Sequence, residues 1–207
     1  MYRTILLYLV FWIFSLTSFS GFAQECIHTN LSRHFDFKIN ILRNSDTSGY
    51  THGAKIDLLI YNKQKALHQK VSLECQFLFD DAYGQCDKVR SYVTGQNVNK
   101  EALDNDYGDL IVADLNFDGK EDFAIKDDSG GNGGPFYKFY IQQKDHSFKE
   151  DNFLSEKVGH FPAEMYPDLK TIVTHVHANV REHGESTYHY NSKLKKWRRT
   201  KHIYVRD

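Results

Sequence analysis

The segment VADLNFDGKEDFAI, residues 112–125, places an acid or amide side chain at every second position before a glycine. In a D-x-N-x-D-G-x-x-D loop, the side chains at positions 1, 3, 5 and 9 and the main-chain oxygen at position 7 point toward one centre, and the glycine permits the sharp turn. The donors in this chain are Asp114, Asn116, Asp118, Asp122 and the carbonyl of Lys120. Hard oxygen ligands in this number suit Ca²⁺, whereas Zn²⁺ favours His or Cys. The spacing therefore predicts a calcium-binding loop.

This loop departs from the EF-hand in two respects. Position 12, which carries a bidentate Glu in that motif, is Ile125 here, and both flanks have the pattern of strands instead of helices. A metal-free turn rich in Asp and Asn is the alternative interpretation. Because Ca²⁺ is redox-silent and the flanks indicate no substrate cleft, we expect the ion to stabilise the fold.

Charge is distributed unevenly along the chain although the formal net charge is only −1. Residues 101–128 contain ten acidic side chains against two lysines, a density that favours a bound cation. Segment 192–206 gathers seven basic residues around Trp197, which indicates either a solvated hairpin or a patch for an acidic partner. A net charge near zero gives no general reason to expect nucleic-acid binding.

A glycine-rich segment, DDSGGNGGPFYKFYIQ, follows the acidic loop at residues 127–142. No Gly-Lys-Ser/Thr follows the glycines, so it is not a phosphate-binding P-loop. We interpret it as a flexible loop with aromatic neighbours that inserts into the groove of a partner, and a simple wide turn is the alternative. The predicted partner-binding residues are Ser129, Gly131, Asn132, Gly133, Tyr137 and Tyr140.

Histidines alternate in the segment TIVTHVHANV, where His175 and His177 fall on one face of a predicted strand. Two more, His183 and His189, lie in the neighbouring segment. Two strand histidines two positions apart can share a metal ion, but the sequence supplies no third ligand of known position. Exposed polar strand positions are the alternative. The chain has no GxSxG or HExxH motif, and we expect no enzymatic activity.

Period-two alternation of apolar and polar residues dominates the rest of the chain, as in HFDFKINIL at 34–42. Only segments 98–106 and 161–170 suggest short helical turns. We therefore predict an all-β fold, with antiparallel strands forming a sandwich or a twisted meander in a single domain.

The first residues have the features of a signal peptide. Arg3 precedes an apolar run of about 12 residues, which is shorter than the roughly 20 that a spanning helix needs. Gly21 and Ala23 suit a signal-peptidase site, so we predict a signal peptide at 1–23, a single domain at 24–207, and export to the periplasm or exterior. No later segment is apolar enough to span a membrane.

Export permits a disulfide among the three cysteines that remain after cleavage. Cys75 and Cys86 flank a turn-like DDAYG sequence, so we predict a bond across a hairpin. A pairing that involves Cys26 is an open alternative, because connectivity does not follow from sequence.

The string of residues 112–142, followed by YPDLKTIV at 166–173 and a polar, aromatic strand pair, resembles a bacterial periplasmic family of calcium-binding, β-rich lysozyme inhibitors. One described type in that family is an immunity protein against the cell's own type IV secretion peptidoglycan hydrolase. The calcium loop alone is similar to FG-GAP loops, which occur in several copies, whereas this chain has one.

The resemblance covers residues 108–205. It implies that Asp114, Asn116, Asp118 and Asp122 are calcium ligands and that a lysozyme-like hydrolase is the partner. The alternative function is an exported carbohydrate- or surface-binding module that uses Tyr137, Tyr140 and Trp197 as stacking platforms.

Overall fold

The computed structural model describes residues 24–44 and 53–206, and the predicted signal peptide at 1–23 lies outside the described residues. Thirteen strands are described, in three sheets. The first sheet is an antiparallel meander in the order β1-β2-β3-β4. Its strands are β1 (Gln24–His28), β2 (Phe35–Asn44), β3 (Gly53–Asn62) and β4 (Leu67–Cys75).

The second, central sheet has the order β5-β6-β7-β8-β9. Its strands are β5 (Val89–Ser91), β6 (Leu110–Ala113), β7 (Asp122–Gly131), β8 (Gly134–Gln142) and β9 (Phe148–Glu150). β5 pairs with β6 in parallel, and the other neighbours are antiparallel.

The third sheet is another antiparallel meander, β10-β11-β12-β13. Its strands are β10 (Glu164–Tyr166), β11 (Thr171–Asn179), β12 (Glu182–Asn191) and β13 (Lys196–Arg206). Short 3₁₀ helices at Leu103–Asn105 and Pro167–Leu169 confirm the two predicted helical turns. The π-helical turn at Leu154–Val158 was not predicted.

Strand β6 of the central sheet is buried on both faces. Leu110 and Val112 of β6 belong to a core shared with the first sheet. Ile111 and Ala113 of the same strand belong to a second core, shared with the π-helical turn and the third sheet. A strand that is covered on both sides has a continuous apolar sequence, which explains why apolar and polar residues do not alternate at 110–113.

The predicted all-β, mainly antiparallel single domain is confirmed. The layering adds a feature that the sequence did not indicate, since the central sheet separates two cores. Within the described ranges, the structure contains no helix long and apolar enough to cross a membrane.

The predicted Cys75–Cys86 bond is wrong, because Cys86 is joined to Cys26 of β1 with a Cα–Cα distance of 5.3 Å. The chain after β4 does not return as an antiparallel partner of that strand; it continues to β5, which lies beside β6. Cys75 is a free, buried thiol, and burial raises its pKa to about 12, helped by the negative charge of Asp127.

The Cys26–Cys86 bond closes a loop with a sequence separation of 60 residues. We expect Cys86→Ser to lower the free energy of unfolding by roughly 2–4 kcal/mol, mainly because the unfolded chain regains the freedom that the cross-link removes. Urea unfolding with and without a reductant measures this effect. The reductant should destabilise the wild type and leave Cys86→Ser unchanged.

Cys75→Ala is the control for this prediction, since it should keep its sensitivity to the reductant. Peptide mapping without reduction would contradict the assignment if it recovered Cys75 linked to Cys86.

Candidate functional site

The acidic loop, residues 114–121, connects β6 to β7. Ala113, the last residue of β6, pairs with Asp122, the first residue of β7. Asp114 organises the loop, since Oδ1 accepts the Asp118 N–H at 2.9 Å and Oδ2 accepts the Gly119 N–H at 2.8 Å. Gly119 has a φ of 84°, a conformation that other residues rarely adopt. The chain therefore curls back around the carboxylate of Asp114.

Two further predicted donors lie on the same curl. Asn116 is buried, and its Oδ1 accepts the Asp118 N–H at 3.0 Å. Asp118 is exposed; its Oδ1 accepts the Lys120 N–H at 3.0 Å, and its Oδ2 lies 3.7 Å from Lys120 Nζ. Asp114, Asn116 and Asp118 are thus linked through neighbouring backbone groups.

Asp122, the remaining carboxylate, is directed into the fold. It is fully buried, and it accepts the N–H of Leu115 at 2.9 Å and the N–H of Gln142 at 2.8 Å. Burial raises the pKa of Asp122 to about 8, an effect that the backbone donors partly offset and that the charges of Asp118 and Asp114 increase. Asp122 therefore joins the loop to β8 at an electrostatic cost that a nearby cation would reduce.

The residue types fit Ca²⁺, since carboxylate and amide oxygens are its preferred ligands. As the side chains stand, no group of three or more His, Cys, Asp or Glu residues in the described part of the chain is placed to hold a metal ion. An oxygen that accepts one N–H keeps a second lone pair for a cation. Oδ1 of Asp122 is such an oxygen, whereas its Oδ2 accepts the N–H groups of both Leu115 and Asn116. The present hydrogen bonds are therefore compatible with calcium ligation.

Glu121 belongs to this region although the motif assigns it no role. Its buried carboxylate accepts hydrogen bonds from the Ser32 hydroxyl and from the Arg33 N–H at 3.1 Å, and Oε1 lies 3.4 Å from His34 Nδ1. These contacts tie the acidic loop to the chain between β1 and β2. They connect residues almost ninety positions apart, so no local pattern could indicate them.

The predicted flexible loop is a tight hairpin turn between β7 and β8, with Gly131 opposite Gly134. A side chain at Gly134, where φ is 86°, would overlap the carbonyl of Asp104 in the first 3₁₀ helix. The Asn105 amide donates to the carbonyls of Gly133 at 3.2 Å and His175 at 2.7 Å. The glycines thus permit close backbone approach, as predicted, but the approached backbone belongs to the same chain.

Several of the predicted partner-binding side chains are not at the surface. Tyr137 is 1% exposed in the second core and Tyr140 is 9% exposed in the first, because both pack as strand residues of the central sheet. Ser129 is buried and accepts the Phe79 N–H at 2.8 Å. Gly131 and Asn132 are exposed at the tip of the turn, and Gly133 is half-buried.

Burial also removes the basis of the carbohydrate-module alternative. Trp197 is 6% exposed and packs in the second core against Phe117 and Tyr190. None of the three aromatic residues predicted as stacking platforms presents an open ring face.

A groove of about 470 Å³ lies beside the glycine turn. Phe79 and Leu103, which are 52% and 67% exposed, lie along it together with Gly131. Lys126 is buried at the groove, and its Nζ lies 2.9 Å from carboxylate oxygens of both Asp106 and Asp109. Burial opposes the charge of Lys126, but these two carboxylates outweigh that effect and raise its pKa.

No family model matches the chain, and no curated protein matches it. Among solved structures it is similar to one described as "Structure of a Xanthomonas Type IV Secretion System related protein". The similarity covers 87% of this chain and 86% of that one, with a TM-score of 0.54 and 12% sequence identity. At this identity the match shows a shared fold.

The contribution of the Lys126 ion pairs to the stability of the protein can be measured by substitution. Lys126→Met should lower the free energy of unfolding by about 3–5 kcal/mol, because it leaves the Asp109 carboxylate buried without its counter-charge. Lys138→Met is the matched control: Lys138 Nζ lies 3.5 Å from Glu150 in a partly exposed pair, so the loss should stay below about 1 kcal/mol. Urea unfolding measures both, and equal losses would contradict the assignment.

Proposed function

We propose that this chain is an exported, calcium-stabilised binding protein that inhibits a lysozyme-like cell-wall hydrolase. The observation that carries the proposal is the fold similarity, over 87% of the chain, to a protein described as related to a type IV secretion system. The sequence of residues 112–142 supports it independently, through its resemblance to a family of periplasmic lysozyme inhibitors. The Cys26–Cys86 disulfide is typical of an oxidising compartment and agrees with export.

The contact surface in this proposal is the groove together with the exposed tip formed by Gly131 and Asn132. The tip is held by the Asn105 amide and by the backbone around Asp104, so little conformational freedom is lost when a partner binds. Phe79 and Leu103 offer apolar contact area along the groove.

Charge supports a cationic partner. The groove residues Glu101 and Asp104 are exposed. Of the basic groove residues, Lys88 pairs with Asp81, Lys100 pairs with Asp87, and Lys126 is buried between Asp106 and Asp109, so three of the lysine charges are offset by carboxylates. Exposed carboxylates at such a surface increase the rate of association with a positively charged hydrolase.

The role of Ca²⁺ in this proposal is structural. Asp114, Asn116, Asp118, Asp122 and the carbonyl of Lys120 would hold the ion. Asp122 also anchors Leu115 and β8 through backbone hydrogen bonds, so its ionisation is coupled to the geometry of the central sheet. A cation at the loop would stabilise the ionised carboxylate and, with it, the connection between β6, β7 and β8.

Calcium binding is tested by the substitution Asp118→Asn, which removes a charge from an exposed loop position. Ca²⁺ should raise the free energy of unfolding of the wild type, and the substitution should reduce this gain by about 1.4 kcal/mol for each tenfold loss of calcium affinity, as measured by urea unfolding in calcium and in EDTA. Asp145→Asn, in the exposed turn between β8 and β9, is the control and should retain the full gain. Equal destabilisation by Asp118→Asn in calcium and in EDTA would rule out the calcium role.

Inhibition is tested by lysis of purified peptidoglycan with a panel of muramidases, in the presence of the protein and Ca²⁺. We expect near-stoichiometric suppression of one enzyme, which weakens in EDTA. Gly131→Trp should weaken inhibition at least tenfold, because a Cβ at Gly131 meets no atom within 4 Å and the indole would project from the tip into the contact surface.

Lys193→Trp, at an exposed position in the turn between β12 and β13, is the matched control and should inhibit like the wild type. Failure of the folded, calcium-loaded protein to inhibit any enzyme in the panel would reject the inhibitor proposal.

A further inference from the structure

Pairing of β11 with β12 brings together histidines that the sequence leaves in separate segments. His177 lies directly opposite His183, and His175 lies directly opposite Glu185. Residues opposite each other in an antiparallel pair share a face, with Cβ atoms about 4.5–5.5 Å apart. Three imidazoles and one carboxylate therefore form two neighbouring cross-strand pairs on one face of the third sheet.

This face is directed away from the body of the protein. Thr174 and Ser186, which alternate with these residues, are buried on the opposite face. On that opposite face, Val176 lies close enough to Gly133 that an added Cβ would be 3.0 Å from its Cγ1. The histidine face is half-buried to exposed, so its side chains are accessible to an ion from solution.

The separations are close to those of ligands that share one metal ion. The ring centroids of His175 and His183 are 5.5 Å apart, and His175 Nε2 lies 4.0 Å from Glu185 Oε2. Two donors of a tetrahedral Zn²⁺, each at about 2.0–2.1 Å, lie roughly 3.3 Å from each other. The side chains do not converge as they stand. Rotation of partly exposed imidazoles is fast. The distance of 4.0 Å between His175 Nε2 and Glu185 Oε2 would have to shorten by less than about 1 Å to reach the roughly 3.3 Å that separates two ligand atoms of one Zn²⁺.

The neighbouring lysine contacts one oxygen of Glu185, and the other oxygen faces the histidines. Lys201 of β13 lies with its Nζ 3.3 Å from Glu185 Oε1, whereas the other oxygen, Oε2, is the one that faces His175. Glu164 of β10 is opposite Val173, two positions from His175 on the same face, and adds a second carboxylate. Two carboxylates and one lysine make the surroundings of the imidazoles favourable for a cation.

We infer that His175, His183 and Glu185, with His177 as a further ligand, form a binding site for a divalent transition metal of the Zn²⁺ class. Imidazole together with carboxylate suits Zn²⁺, Cu²⁺ or Ni²⁺ and does not suit Ca²⁺. The ion would bridge β11 and β12 beside the register shift at His177 and Asn179, and so clamp the end of that hairpin. This site uses none of the residues of the acidic loop or of the groove.

The test is calorimetric titration of the untagged mature protein with ZnCl₂, in excess Ca²⁺. We expect one equivalent to bind, with an affinity that falls in acid because the imidazoles must be deprotonated to ligate. Zn²⁺ binding should weaken by at least roughly tenfold in each of the variants His175→Gln, His183→Gln and Glu185→Gln. Loss of a group that only hydrogen-bonds to a metal ligand already weakens metal binding by that factor.

His189→Gln is the matched control, because His189 lies on the same strand but pairs with Thr171, away from the cluster. It should bind Zn²⁺ like the wild type. Imidazole NMR signals of the wild-type protein give a measurement without substitution, and those of His175 and His183 should shift on addition of Zn²⁺. Absence of binding, or equal effects of His189→Gln and the three ligand variants, would overturn the proposal.

Discussion

Around β6, the central sheet excludes water from both of its faces, because successive residues of that strand point alternately into the first and the second core. Transfer of this apolar surface from water is the main stabilising contribution. It also requires the polar groups that are buried within the sheet to find partners inside the protein, because water does not reach them. The loops and ion pairs described above follow from that requirement.

Two polar side chains of β7 show how the requirement is met. Asp122, at the start of the strand, is satisfied by backbone N–H groups from the acidic loop and from β8. Lys126, four residues later, is satisfied by two carboxylates on the segment that precedes β6. In both cases a buried ionisable side chain determines how a neighbouring segment is positioned, so the acidic loop and the groove are supported by one strand.

The same scaffold presents distinct surfaces in different directions. The glycine turn lies against the 3₁₀ helix at Leu103–Asn105, and Asn105 connects it to β11. Across β11, on the outward face, lie His175 and His177. The third sheet therefore supports the proposed contact surface with one face and carries the histidine cluster on the other, which allows partner binding and metal binding to be tested separately.

The sequence by itself determined the strands and the set of oxygen donors in the acidic loop, because alternation and the spacing around Gly119 are local properties of the chain. It also predicted the two short helical turns. Tertiary structure alone decided the pairing of Cys86 with Cys26, the burial of Tyr137, Tyr140 and Trp197, and the contacts of Glu121. Each depends on which segments pack together, and an aromatic strand residue has the same local pattern whether its face is covered or open. The histidine cluster shows the same division: the strand pattern placed His175 and His177 on one face, and only the register of β11 with β12 placed His183 and Glu185 opposite them.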